Sequence, residues 1–325
     1  MPVQAPGAVV MIRPHKFTPN PDTAADNAFQ VAAAGDPEEL AARAFQEVTR
    51  AAETLESVGV TVHLFDDEDA TRPDSVFPNN WFSTHAGGRV ALYPMYAPSR
   101  RTERRPDIVE MLKARYRVQD VIDYSGLEYD NIFLEGTGAM VLDHLSRIAY
   151  AARSRRADPV VLERFCTTFG YEPMAFDAAD QGGTPVYHTN VLMCIASDFV
   201  LIGLSMITDP ARRAEVVERL AGRRGKRHVL ELSDQQIHDF AGNAIELEGE
   251  DGERFLALST RAAASLSDEQ REIIERSCTL LPLDVPTIEL AGGSVRCMLA
   301  SIHLDARPQA GTTQGQVSQL PAAVI

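Results

Sequence analysis

A cysteine late in the chain sits in the setting Leu290-Ala291-Gly292-Gly293-Ser294-Val295-Arg296-Cys297-Met298-Leu299-Ala300-Ser301-Ile302. Two glycines permit a tight backbone turn, and the thiol then opens a short apolar run. At a strand mouth among backbone N–H groups, such a thiol is suited to act as a nucleophile. Alone it reads more readily as a buried structural cysteine, so a base, an acid and a substrate cradle must come from elsewhere. Three other stretches can supply them. Asp74-Ser75-Val76-Phe77-Pro78-Asn79-Asn80 leads into Trp81-Phe82, Ile132-Phe133-Leu134 leads into Glu135-Gly136-Thr137-Gly138, and Tyr187 leads into His188-Thr189-Asn190. Pro78-Asn79-Asn80 also reads as plain turn chemistry, and a histidine before a strand often serves packing alone. A carboxylate between Ile-Phe-Leu and two glycines, however, is poorly placed for a solvated surface. A thiolate nucleophile, a histidine that gives and takes a proton, and a glutamate holding the substrate form a coherent covalent machine.

The elements that must position these residues repeat. Val9 to Ile12 reads as a strand. A helix follows, with Asp36 as N-cap, Pro37 at N1, Glu39 at N3, an apolar stripe through Leu40, Ala44, Phe45, Val48 and Leu55, and Gly59 as stop. Val60 to Phe65 alternates like a second strand. Four hairpins come next, at a spacing of roughly 50 to 60 residues, a period that suggests a closed array. Their strands are Trp81–Ser83 with Val90–Tyr93, Ala139–Leu142 with Ile148–Tyr150, Val191–Cys194 with Val200–Ile202, and Ala244–Leu247 with Phe255–Leu258. Asp158-Pro159 and Asp209-Pro210 repeat the helix-starting device of Asp36-Pro37, and Ser267 with Gln270 makes a capping box. A fifth unit is split: Val295 to Ile302 has strand character, and the unpaired first strand is its natural partner. All four polar stretches fall at the same point of this repeat, just before its strand.

The composition is that of a globular protein, with 45% apolar and 24% charged residues among 325. A net charge of −15 argues against nucleic acid as a partner. Cys166, Cys194, Cys278 and Cys297 show no C-x-x-C spacing or paired framework, which favours reduced thiols and a cytoplasmic location. No secretory leader is evident, and the most apolar run, Val191 to Ile207, is broken by Ser197-Asp198, so no membrane partner is expected. No His or Cys pair has metal-ligand spacing and no glycine-rich phosphate loop occurs, so no metal or cofactor is expected. The basic cluster Arg223 to Arg227 reads as a solvated turn, and the Gln-, Gly- and Thr-rich segment 306–325 as a loose surface tail following one domain of residues 1–305. A homo-oligomer is compatible with the sequence.

In order and spacing, these motifs resemble the guanidine-modifying amidinotransferase and deiminase superfamily. Its pattern is an acidic segment before the first hairpin, Glu-Gly before the second, His before the third, and a glycine-rich run to Cys at the end. Here these read Asp74 to Asn80, Glu135-Gly136, His188-x-Asn190 and Gly292-Gly293 to Cys297, and the likeness extends to about Asp305. The resemblance implies the pentein fold, an α/β propeller of five ββαβ-type modules around a pseudo-fivefold axis, the last closed by both ends of the chain. It implies that Cys297 attacks the central carbon of a guanidinium or ureido group. It implies further that His188 protonates the departing nitrogen and later activates water, that Glu135 bonds the substrate nitrogens and that Asp74 supports the pocket. Arg153, with Arg100 or Arg101, falls where relatives hold the substrate carboxylate.

The departures bear on the substrate. Arginine-directed relatives place Asp where this chain has Asn80, and deiminases place a second at Asn190. Aspartates neutralise a cationic guanidinium, whereas Asn brings an N–H donor suited to a carbonyl oxygen. The wording is closest to the citrulline-utilising hydrolases. The resemblance therefore implies hydrolysis of L-citrulline to L-ornithine, ammonia and carbon dioxide through a thiocarbamoyl enzyme. The alternatives are a deiminase or dihydrolase acting on arginine, a methylarginine or an N-acylarginine, an amidinotransferase, and a pentein binding module without catalysis. Glu135 and Asp74 could still balance one positive charge.

Overall fold

The computed structural model describes residues 3–33, 35–222 and 227–308. Fifteen strands within them form five separate three-stranded sheets. These are β1 (Ala8–Pro14), β2 (Thr61–Asp67), β3 (Phe82–His85), β4 (Arg89–Leu92), β5 (Asp120–Asp123), β6 (Val141–Asp143), β7 (Ile148–Ala152) and β8 (Glu172–Phe176). The remainder are β9 (Met193–Ile195), β10 (Phe199–Ile202), β11 (His228–Glu231), β12 (Ile245–Glu248), β13 (Arg254–Ser259), β14 (Thr279–Leu283) and β15 (Ala300–Ser301). In every sheet the first strand pairs antiparallel with the second, and the second runs parallel to a third reached through a helix. The fifth sheet is assembled from distant segments: β15 pairs antiparallel with β1, which pairs parallel with β2.

The crossover helices start where the sequence places them. The side chains of Asp36, Asp158 and Asp209 accept from the backbone N–H of Glu38, Val160 and Ala211 and open the helices Pro37–Ser57, Pro159–Phe169 and Pro210–Leu220. Ser267 and Gln270 bond reciprocally at the head of Asp268–Glu275. Each helix buries its apolar stripe on its sheet, as Ile108 and Leu112 of Pro106–Arg115 do beside Phe82 and Val90.

The inner strands differ from expectation. Four-residue helical turns occupy Gly136–Ala139, Thr189–Leu192 and Val295–Met298, and a 3₁₀ turn occupies Pro78–Asn80. The strand expected over Val295–Ile302 is therefore only Ala300–Ser301, and the one expected from Val191 begins at Met193. Val191, Leu192, Val295 and Met298 are buried in either conformation, and a run of four apolar residues does not distinguish strand from helical turn. Arg227 also departs from its expected place in a solvated turn: it is buried and ion-paired with Asp143 at 2.6 Å. Arg223 to Lys226 and the tail beyond residue 308 lie outside the described residues. Just before that point, Arg307 N donates to Arg115 O. Among the described residues no helix is long and apolar enough to cross a membrane.

A cluster of histidines lies within the sheets. His85 Nε2 meets Ser83 Oγ at 2.7 Å, His144 Nδ1 meets the Tyr171 hydroxyl at 2.9 Å, and His144 stacks on His303 with ring centroids 4.0 Å apart. Burial, then mutual proximity, holds His85 and His144 well below the ordinary imidazole range, and burial with nearby Arg296 pushes His303 down to about 4. The unfolded chain takes up these protons near pH 6.5, while the folded chain resists them to lower pH, His303 until about pH 4. Stability is thus expected to fall as pH drops through that window, each histidine adding about 1.4 kcal/mol per pH unit to the slope at most. Thermal unfolding followed from pH 7 to pH 4 measures this, and a flat midpoint would exclude buried neutral histidines.

Candidate active site

The turns that precede the hairpins bring the polar residues together because glycines let neighbouring turns approach. Gly136 has φ +48°, and a Cβ there would lie 2.5 Å from Asn79 O. At Gly138 a Cβ would lie 2.1 Å from Asn80 Nδ2 and 2.9 Å from His188 Nδ1. The Thr189 hydroxyl donates to Ala139 O and accepts from Ala152 N, tying the third turn to the second.

A small cavity opens among these turns, lined in part by Asp74, Asn80, Arg100, Arg156, His188 and Cys297. Glu135 lies behind it with no exposed surface, and both of its oxygens are engaged. Oε1 accepts from Tyr96 N at 2.9 Å, and Oε2 meets His188 Nε2 at 2.8 Å. Arg100 and Arg156 approach the same Oε2 at 3.5 and 3.6 Å. Burial alone would push the Glu135 carboxyl up, but Arg156, the His188 hydrogen bond and Arg100 outweigh it and hold it well below the usual carboxylate range. For His188 burial wins over the attraction of Glu135, and the imidazole is pushed down to about 4. A neutral ring that gives Nε2–H to Glu135 keeps Nδ1 as an acceptor.

The two guanidinium groups are committed to the protein. Arg100 makes a paired contact with Glu103, 3.0 Å at each nitrogen, and donates to Asn80 Oδ1 at 2.9 Å. Its Nε stands 3.5 Å from Asp74, whose other partner is Asn20 Nδ2 at 2.8 Å. Burial raises the Asp74 carboxyl and Arg100 opposes it. Arg156 binds Asp26 through two nitrogens. Around the thiol, Asn190 Nδ2 and Asn243 Nδ2 each lie 3.2 Å from Cys297 Sγ. Asn243 Oδ1 accepts from Ser294 N at 3.2 Å, and the Tyr187 hydroxyl donates to Gly292 O at 2.6 Å.

The structure thus gathers Cys297, His188, Asn80, Asn190, Asp74 and Arg100, with Glu135 as the partner of His188 instead of a lining group. It leaves two expected residues out. Arg153 is exposed and pairs with Asp177 at 3.2 Å, and Arg101 donates to the carbonyls of Met95 and Tyr96. Arg100 is buried against Glu103, so it does not offer a free guanidinium to a substrate carboxylate. The two asparagines also differ from expectation. The Asn80 amide is used at both ends, Nδ2 on Asn79 Oδ1 and Oδ1 on Arg100. The Asn190 NH₂ is on the sulfur, and its Oδ1 is buried without a partner. Each NH₂ thus spends one of its two N–H groups inside the protein. Sequence reasoning missed Arg156, Glu103, Asp26 and Asn243. Only Asn243 left a signal: it lies two residues before β12, the point of the repeat that holds the other polar residues. Among the described residues no group of three or more His, Cys, Asp or Glu is placed to hold a metal.

Five ββαβ sheets with a thiol, a histidine–carboxylate pair and buried arginines at their central turns are those of the pentein superfamily of guanidine-modifying enzymes, to which the chain is similar in its solved structures. The substrate-bound N-terminal domain of ArgZ, an arginine dihydrolase from the ornithine–ammonia cycle in cyanobacteria, superposes with a TM-score of 0.70 at 16% identity, covering 92% of this chain and 98% of that one. AgrE in complex with L-arginine gives 0.71 at 17%, covering 92% of this chain and 40% of that one. An adduct of dimethylarginine dimethylaminohydrolase with S-methyl-L-thiocitrulline gives 0.60 at 13%, covering 93% and 100%. No curated protein sequence matches. The chain belongs to the family described as N,N dimethylarginine dimethylhydrolase, eukaryotic, whose model matches residues 13–304. It is accordingly a hydrolase of carbon–nitrogen bonds, and the matching family is not one of citrulline hydrolases.

Gly138→Ala tests the central packing. The added methyl must displace Asn80 or His188, and a shift of about 1 Å is expected to lower turnover about 100-fold with little loss of thermal stability. Steady-state rates beside unfolding midpoints read both quantities, and an unchanged rate would mean that neither side chain needs its present position.

Proposed function

We propose that this protein hydrolyses the guanidino group of an arginine-type amino acid, either arginine or an N-methylated arginine, through a covalent adduct on Cys297. The observation that carries the reading is the charge of the buried network. Asp26, Asp74 and Glu135 face Arg100 and Arg156, while burial pushes Glu103 up to about 8, so that it adds little charge at neutral pH. With His188 neutral, the site holds an excess of negative charge that a guanidinium offsets and a neutral urea leaves in place. Asn190 Oδ1, unpartnered on the amide that touches the sulfur, adds an acceptor for a substrate N–H. The names of the relatives support the same class: ArgZ is an arginine dihydrolase, and AgrE was captured with L-arginine.

In the proposed reaction Cys297 Sγ adds to the guanidinium carbon. His188 Nδ1 takes the thiol proton in that step, and one C–N bond breaks as the imidazolium passes it to the departing ammonia or alkylamine. His188 then takes a proton from water, whose oxygen adds to the same carbon, and the sulfur leaves with the ureido product released. Glu135 fixes the histidine ring and steadies its positive form. Hydrolysis of L-citrulline is the alternative that Asn80 and Asn190 suggest in sequence; each amide already spends one of its two N–H groups inside the protein, and the relatives named are arginine-directed.

We also infer that the five sheets close around a pseudo-fivefold axis as a single domain of residues 1–305. Support runs from turn to turn: Gly136 against Asn79, Thr189 on Ala139, Gly242 against Val191, Asn243 on Ser294 and Gly293 against Phe77.

The test is to incubate the protein separately with L-arginine, dimethylarginine and L-citrulline, and to follow citrulline, ornithine, ammonia and dimethylamine. Turnover of a guanidino compound, abolished in Cys297→Ala, is expected. Turnover of citrulline alone would overturn the reading.

A further inference from the structure

We propose that Asn243, together with Asn190, holds the Cys297 sulfur as a thiolate, an inference that rests on Cys297 being the nucleophile. The Asn243 amide has a fixed sense. Its Oδ1 accepts from Ser294 N at 3.2 Å and Cys297 N at 3.4 Å, so turning the amide over would set its NH₂ against two donors. Nδ2 must therefore face Asn190 O at 2.9 Å and Cys297 Sγ at 3.2 Å. The Asn190 amide brings a second N–H to the same sulfur at 3.2 Å. Two donors from two different turns converge on one atom.

A neutral thiol is a weak acceptor with a single hydrogen to give, and it has little use for two donors. A thiolate carries a full charge, and hydrogen bonds to charged groups are roughly twice as strong as neutral ones. The arrangement thus favours the ionised form, which is the attacking one. The other charged or titratable groups around this sulfur are His188, Asp74, Arg100, Arg156 and Tyr187 at the cavity, with Arg296 on the same turn. None of their side chains bonds the Asn243 side chain, and the bond from Arg296 N goes to the Asn243 backbone carbonyl, so substitution there removes the donor and leaves these contacts in place.

Asn243→Asp keeps an oxygen for the N–H groups of Ser294 and Cys297 and replaces the donor. Asn243→Ala removes the donor without adding charge. The reading is the rate of Cys297 alkylation by iodoacetamide from pH 5 to pH 10, corrected with Cys297→Ala for the three other thiols. In both variants the pH midpoint is expected to rise by about one unit or more, with roughly ten-fold slower alkylation at pH 7. Asn190→Asp carries the same expectation and disturbs no bond to the Asn243 side chain. A midpoint unchanged in Asn243→Ala, or raised only where a carboxylate was introduced, overturns the role of Asn243 even if Cys297→Ala is inactive. Full turnover by Cys297→Ala would instead overturn the nucleophile assignment on which it rests.

Discussion

Glu135 is a charge with no access to water, and much of the site follows from keeping it satisfied. An uncompensated buried carboxylate costs several kcal/mol, so it must be surrounded by donors. Tyr96 N takes one oxygen, while His188, Arg156 and Arg100 gather at the other. Each arginine then needs partners of its own, which brings in Glu103, Asp74 and Asp26. The chain of requirements draws the loop before the long first helix, the first three central turns and the segment after β7 onto one point. Charge here does the work of assembly more than of stability, since a fully buried ion network returns little net free energy for its desolvation.

The repeat explains how such a network is reached from distant parts of the chain. Every module delivers its first strand through a tight turn, so the polar residues of the turn reach the site while the apolar neighbours remain in the core. Glycines at Gly136, Gly138, Gly242 and Gly293 let these turns meet where any side chain would collide with the next. The chemistry thus depends on absent side chains as much as on present ones.

Much of this was legible in the sequence. Helix starts follow from local Asp-Pro and Ser-x-x-Gln signals, and the strand–turn–strand period places Cys297, His188, Glu135 and the two asparagines at equivalent positions. Partners were not legible. Asn80 and Asn190 look like free donors in a string of letters, yet each already spends one N–H inside the protein, on Asn79 and on the sulfur, and Arg100 takes the Asn80 oxygen. Arg156 and Arg153 lie three residues apart with the same side chain, and only the fold buries one and exposes the other. Glu103 and Asp26 carried no periodic signal because loop and turn residues are placed by tertiary contacts. The helical turns before the strands were lost because they are only three or four residues long and join directly onto apolar residues that suit either backbone.

The pairing of β1 with β15 has a consequence for the order in which the molecule comes into being. The first module to be synthesised is the last to be finished, because its inner strand arrives with Cys297 after the other four modules are made. Until then β1 presents an open edge of the kind that invites mispairing, and the loop that closes is nearly as long as the domain. The same delay keeps the histidine, the buried carboxylates and the thiol from meeting on the ribosome. The proposed site is therefore assembled only once β15 has been made and paired with β1.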